Sequence, residues 1–110
     1  MLDTLINLER AAVLLKLLGD KTRLSMMKIL DVDTCCVCEF VDLFQMSQPA
    51  ISQHLRKLKD VGLVEEEKKG QWVYYSIRKS SEYYPFIKRI LDQLPDLNGK
   101  LHKSAGQSCC

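Results

Sequence analysis

Three thiols fall within four residues, at Cys35, Cys36 and Cys38, and two more close the sequence at Cys109 and Cys110. Clustered thiolates are soft ligands, suited to metals or metalloids that prefer sulfur. The total of five is odd, and the opening Met1-Leu2-Asp3 carries an acid where a secretion signal carries bases. Reduced thiols in the cytoplasm are therefore expected, not a disulfide framework. The knot reads as the start of a short helix from about Cys36 to Phe44, where unpaired N–H groups and the helix dipole favour thiolate over thiol. On an ideal helix Cys36 and Cys38 stand roughly 200° apart, whereas Cys35 and Cys38 are offset by roughly 60°. Binding by Cys36 and Cys38 together would thus distort the first helical turn. From Pro95 to Cys109 an extended chain spans about 45 Å at ~3.3 Å per residue, so Cys109 or Cys110 can reach the knot of its own chain or of a partner.

A second group of residues suits nucleic acid. With Ile51, Leu55 and Leu58 turned to a core, Ser47, Gln48, Ser52, Gln53, Arg56 and Lys59 lie on the outer side of one helix. The amides can pair with base edges and the cations with phosphates. No acid interrupts this face before Asp60, although the chain carries 14 acids against 16 basic residues. Lys68, Lys69 and Gln71 add a basic tip a few residues on, able to follow the backbone or enter a minor groove. The net charge of +2 is too small to argue for DNA by itself, and a polar helix face is most often simply solvated. The order of helix, turn and wing carries the reading. His54 falls at the edge of the buried stripe and reads as a hydrogen-bonded support, not a base reader.

The elements that must position these residues follow from periodicity. Residues 4–18 form a strongly apolar helix with Leu5, Leu8, Ala11, Ala12, Leu15 and Leu18 at steps of three and four, closed by Gly19. Val13, Leu14 and Leu17 widen its stripe, which predicts burial on a second side by a partner subunit. Asp20 caps a second helix over 21–31, and Thr34 is the expected cap of the third. Two residues, Gln45 and Met46, separate the third helix from Ser47, the cap of the fourth, with Pro49 in its first turn. Gly62 ends the fourth helix and the period falls to two. Residues 63–67 and 71–77 read as paired strands joined by Lys68-Lys69-Gly70, with Val73, Tyr75 and Ile77 on one face and Trp72, Tyr74 and Ser76 on the other. A last helix spans about 81–94. The expected architecture is mainly α with a two-stranded β-wing: a winged helix-turn-helix domain over 1–97, homodimeric, and a flexible tail over 98–110. No run approaches the ~18 apolar residues of a membrane span.

These residues resemble the ArsR/SmtB family of metal-responsive repressors. The resemblance covers nearly the whole chain and rests on Gly19-Asp20-Lys21-Thr22-Arg23-Leu24, Cys36-Val37-Cys38-Glu39, Ser47-Gln48-Pro49-Ala50-Ile51-Ser52-Gln53-His54-Leu55 and Gly70-Gln71-Trp72-Val73-Tyr74-Tyr75. It implies a homodimer that represses a resistance operon by binding double-stranded operator DNA and releases it when the inducer binds. The Cys-Val-Cys-acid signature is similar to that of arsenite and antimonite sensors and also to that of cadmium and lead sensors. One arsenic-sensing pattern places a third cysteine where this chain has Val41, so Cys35, Cys109 or Cys110 must complete a three-thiolate set with Cys36 and Cys38. Cadmium and lead sensors of this type often carry cysteines near the N-terminus, and none precedes Cys35. The histidines of zinc sensors are missing from residues 81–97. As(III), with Sb(III) as its chemical companion, is the implied inducer.

Three rivals stand beside it. One is a Cd(II)- or Pb(II)-responsive repressor of the same fold, and a second is a repressor switched by thiol oxidation. The third, of another class, is a thiol metal-buffering or protein-binding module that never touches DNA. An enzyme is not expected. No nucleophile–base pair or phosphate-cradling glycine loop is present, His54 and His102 lack companions, and no catalytic cofactor is implied.

Overall fold

The computed structural model describes residues 6–95. Helix α1 (Leu8–Leu18) begins later than the apolar pattern suggested, because Asn7 is extended and its side chain accepts from the Arg10 N–H at 2.7 Å. Helix α2 (Lys21–Leu30) is capped by Asp20, which accepts from the Arg23 N–H at 3.0 Å. The helix-turn-helix follows as α3 (Val37–Phe44) and α4 (Gln48–Asp60). Gln45 joins them in the left-handed region (φ 54, ψ 45), steadied by its own side-chain amide donating to the Asp42 carbonyl at 2.7 Å. Ser47 caps α4 as expected, its hydroxyl accepting from the Ala50 N–H at 3.3 Å, and Pro49 sits in the first turn, where no N–H is missed.

The wing is larger than its hairpin. Strands β2 (Val64–Lys69) and β3 (Trp72–Ile77) pair antiparallel, and β1 (Cys35–Cys36) pairs with the other edge of β3 to give the order β1-β3-β2. The expected two-stranded wing is present as β2 and β3, and the correction is a third strand, β1, which makes the sheet three-stranded. Two residues are too few to show a period of two, so β1 has no sequence signal of its own. Thr34 is likewise not the cap of α3. Cys36 is extended at φ −96, ψ 167, and its N–H donates to Glu39 Oε1 at 3.0 Å, which starts the helix at Val37. Lys68 and Lys69 belong to β2, and the turn is Gly70-Gln71. Gly70 has φ 64 at the first central position, the conformation for which glycine is selected in a tight hairpin. The last helix, α5 (Tyr84–Asp92), is shorter than predicted, since residues 81–83 form a turn.

One core holds these elements together. Leu14 and Leu18 of α1, Met26 and Met27 of α2, Phe40 of α3 and Ile51, Leu55 and Leu58 of α4 are buried with Ile77, Ile87 and Leu91. Burying such a side chain stabilises by roughly 1.5–3 kcal/mol. Lys28 donates to the Leu91 carbonyl at 2.9 Å and Lys88 reaches Asp31 at 2.8 Å, which fixes α5 on α2. Among the described residues no helix is long and apolar enough to cross a membrane.

Candidate nucleic-acid interface and thiol cluster

Helix α4 packs its Ile51, Leu55 and Leu58 stripe inward against α2, α3 and β2. Gln48, Gln53 and Arg56 are exposed on the other side, Ser52 is half-buried between them, and the Ser47 hydroxyl is occupied as the cap. Lys59 is exposed but tied: its Nζ lies 3.3 Å from Glu66 Oε1. The same carboxylate oxygen accepts from the Tyr75 hydroxyl at 2.9 Å. Glu66 thus joins the end of the reading helix to both wing strands, which gives one of the three wing glutamates a structural role. That hydrogen bond, and then Lys59, hold the Glu66 carboxyl below its ordinary range. Burial first, then Glu66, push the Tyr75 phenol up to about 12. At the tip Lys68, Lys69 and Gln71 are exposed, and the Lys69 ammonium stands 5.6 Å from the centre of the Tyr74 ring. Lys57, which the sequence reading passed over, is a further exposed cation on α4; its position beside Arg56 was the available signal.

The thiol cluster sits directly behind this surface. Cys35 faces Tyr75 in the ladder and Cys36 faces Tyr74. Side chains alternate across a strand, so the two cysteines point to opposite faces of the sheet. Cys35 shares the inner face with Tyr75 and Ile77 and is fully buried in the core. Cys36 is buried too, on the side of Tyr74. Cys38 is half-buried in the first turn of α3 and lines a shallow cavity of about 400 Å³ with Val41, Asp42, Gln45, Met46 and Gln48. Because Cys36 precedes the helix, the 200° offset expected between it and Cys38 does not apply. Cys36 and Cys38 are each disulfide-bonded, in contrast to the reduced state expected from sequence, and Cys35 lies buried between the sheet and the helices. Among the described residues no three Cys, His, Asp or Glu side chains are gathered to hold a metal ion. Cys109 and Cys110, with the tail that carries them, lie outside the described residues.

His54 is placed as a support, as its position on the stripe suggested. Its Nδ1 lies 3.0 Å from Arg23 Nη1, and the Arg23 Nε donates to the Leu17 carbonyl at 2.7 Å. Arg23 was not singled out from sequence, since an arginine in the first turn of an amphipathic helix ordinarily faces solvent.

Residues 20–66 match the family described as "Bacterial regulatory protein, arsR family". The "Arsenical resistance operon repressor" of Escherichia coli (strain K12) is 37% identical over 73% of this chain and 68% of its own. The chain belongs to the ArsR family. An "Uncharacterized HTH-type transcriptional regulator MJ1325" of Methanocaldococcus jannaschii is 43% identical over 63% of this ArsR-family chain and 79% of its own. Among solved structures, "Reduced HlyU from Vibrio cholerae N16961" superposes with a TM-score of 0.67 at 33% identity, covering 77% of this chain and 88% of that one. ArsR-family proteins are DNA-binding transcriptional regulators, not enzymes, and the winged helix-turn-helix of this chain is the fold of such a repressor.

Proposed function

We propose that the chain is a homodimeric, cytoplasmic repressor that holds double-stranded operator DNA and releases it when As(III), or its companion Sb(III), is taken up by the thiolates of Cys36 and Cys38 and a third cysteine. One observation carries the reading. Cys36 is the joint between the wing sheet and α3, being paired with Tyr74 on one side and leading into the helix that supports α4 on the other. A ligand that draws Cys36 and Cys38 towards a common third sulfur bears on both parts of the DNA-reading surface. Cys38 opens beside Gln48, the first residue of α4. The third thiolate is assigned to Cys109 or Cys110 in preference to Cys35, because turning Cys35 outward would break its ladder pair and empty a core position. A trivalent metalloid supplies three bonds to sulfur, and five cysteines satisfy that demand. DNA contacts are assigned to Ser47, Gln48, Ser52, Gln53, Arg56 and Lys59 on α4 and to Lys68, Lys69 and Gln71 at the tip. Effector and DNA affinity are then reciprocally linked.

The test is fluorescence anisotropy of DNA from the chain's own promoter, titrated with arsenite under reducing conditions. The expected result is release for the native chain, and normal DNA binding without release for Cys36→Ser and Cys38→Ser. Release by cadmium at lower concentrations than arsenite would overturn the choice of ion, and failure to bind any promoter DNA would favour a buffering or protein-binding module.

The disulfide-bonded state of Cys36 and Cys38 favours one second reading, a repressor switched by thiol oxidation. Peroxide would take two electrons and two protons from a thiol pair and leave as water. Release by peroxide that dithiothreitol reverses, with no response to arsenite, would select it.

A further inference from the structure

Arg23 is the residue in which three helices meet. Its backbone N–H is held by the Asp20 cap, its Nε donates to the Leu17 carbonyl at 2.7 Å, and its Nη1 lies 3.0 Å from His54 Nδ1 on α4. The Leu17 carbonyl is among the last of α1, which the helix cannot satisfy from within. A guanidinium has donors only, so Nδ1 must supply the lone pair, and the ring is neutral with its proton on Nε2. Both side chains are half-buried, and His54 stands at the edge of the buried stripe, away from Gln53 and Arg56. The pair therefore spans from the end of α1, whose Leu8 and Leu15 are exposed apolar residues, to the helix that reads DNA.

We propose that Arg23 and His54 are positioning residues for DNA binding, a strut that sets the angle of α4 against the end of α1 through the neutral imidazole. The groups facing His54 are Asp20 and Arg23 at the start of α2 and Lys57 on its own helix. Burial, then Arg23 and Lys57, hold the imidazole below its ordinary range against the pull of Asp20. Protonation would place an N–H against the guanidinium and break the strut. DNA affinity then gains a component that falls as pH drops through that lowered range. This sign is opposite to the usual one, in which an added positive charge strengthens DNA binding. The inference rests on DNA binding alone and is independent of the effector.

The experiment measures affinity for promoter DNA between pH 5 and 8 at fixed ionic strength, with reduced full-length protein. Arg23→Gln and His54→Leu should each weaken binding about tenfold at neutral pH, the scale of one hydrogen bond to a charged group. The double variant should be no weaker than the worse single. His54→Gln can still accept through its amide oxygen but does not titrate, so it should bind within about threefold of the native chain and lose the acid-side decline. Circular dichroism checks the fold of each variant, and His54→Gln carries the test if Arg23→Gln does not fold. Native affinity in His54→Leu, additive losses in the double variant, or an unchanged acid decline in His54→Gln would each overturn the strut. A salt dependence shallower by about one in His54→Leu would also overturn it, since that marks a direct phosphate contact.

Discussion

Cys35 and Cys36 are adjacent in the chain, yet the alternation of a two-residue strand sends one into the core and the other to the opposite face. The cost of replacing each should differ accordingly. Cys35→Ala removes one buried sulfur and should lower stability by about 1 kcal/mol while leaving both DNA binding and effector release intact. Cys35→Ser buries a hydroxyl in the same apolar site and should be worse, by roughly 1–3 kcal/mol where no acceptor is found. Denaturant melts combined with the anisotropy titration check both, and loss of release in a folded Cys35→Ala protein would make Cys35 a ligand after all. Glu66 gives a second test on a single residue. Its carboxyl is lowered in the folded chain, chiefly by the Tyr75 hydroxyl and then by Lys59. The unfolded chain therefore binds more protons between the folded and unfolded values, and the tie stabilises above the ordinary carboxylate range and is lost as pH falls through the folded value. Melting temperatures of Glu66→Gln and the native chain should differ at neutral pH and converge in acid. A constant gap across that range would mean the tie has no electrostatic part.

Between elements, the clearest tie is that of α5 to α2. The Asp31 side chain is only 7% exposed, its Oδ2 receives the Lys88 ammonium, and its Oδ1 has no hydrogen-bond partner. Hydrogen bonds to Asp31 and then Asp92 raise the Lys88 pKa strongly. Lys88→Met should strand the carboxylate and lower the melting temperature, whereas the double variant Asp31→Leu with Lys88→Met should recover part of the loss, because two apolar side chains leave no charge unpaired. A double variant less stable than Lys88→Met would refute that account. This tie also shows where the sequence stopped being informative. The helices, the Ser47 and Asp20 caps, Gly62 and the alternating faces of β3 were legible, because each follows from local propensity or a period that repeats several times. Strand β1 was not, since it exists only through its pairing with β3. That omission misplaced the start of α3 and with it the geometry drawn for the cysteines. Arg23, Asp31 and Lys88 look like ordinary surface charges in the sequence. Their partners lie 31 and 57 residues away in the chain, which no local pattern encodes.

At the scale of the whole molecule, α1 is buried on one side through Leu14 and Leu18, while Leu8 is 87% and Leu15 51% exposed. Positions seven apart fall on one face of a helix, so Leu8 and Leu15 form a stripe, with Ala12 between them, that the chain's own core does not cover. A second copy is the partner we assign to it. A single head reads only a few base pairs, so specific binding needs two heads on a symmetric site. Leu15→Glu places a carboxylate on the stripe without touching the core. It should leave the circular dichroism spectrum unchanged, give a monomer by sedimentation, and weaken binding to a two-half-site operator by about 10²–10⁴-fold, the range lost when two linked heads act singly. Binding to an isolated half-site should hardly change, because α4 and the wing are untouched. A Leu15→Glu protein that remains dimeric would assign the partner surface elsewhere. A monomer that still binds the full operator at native affinity would show that the reading head needs no second copy.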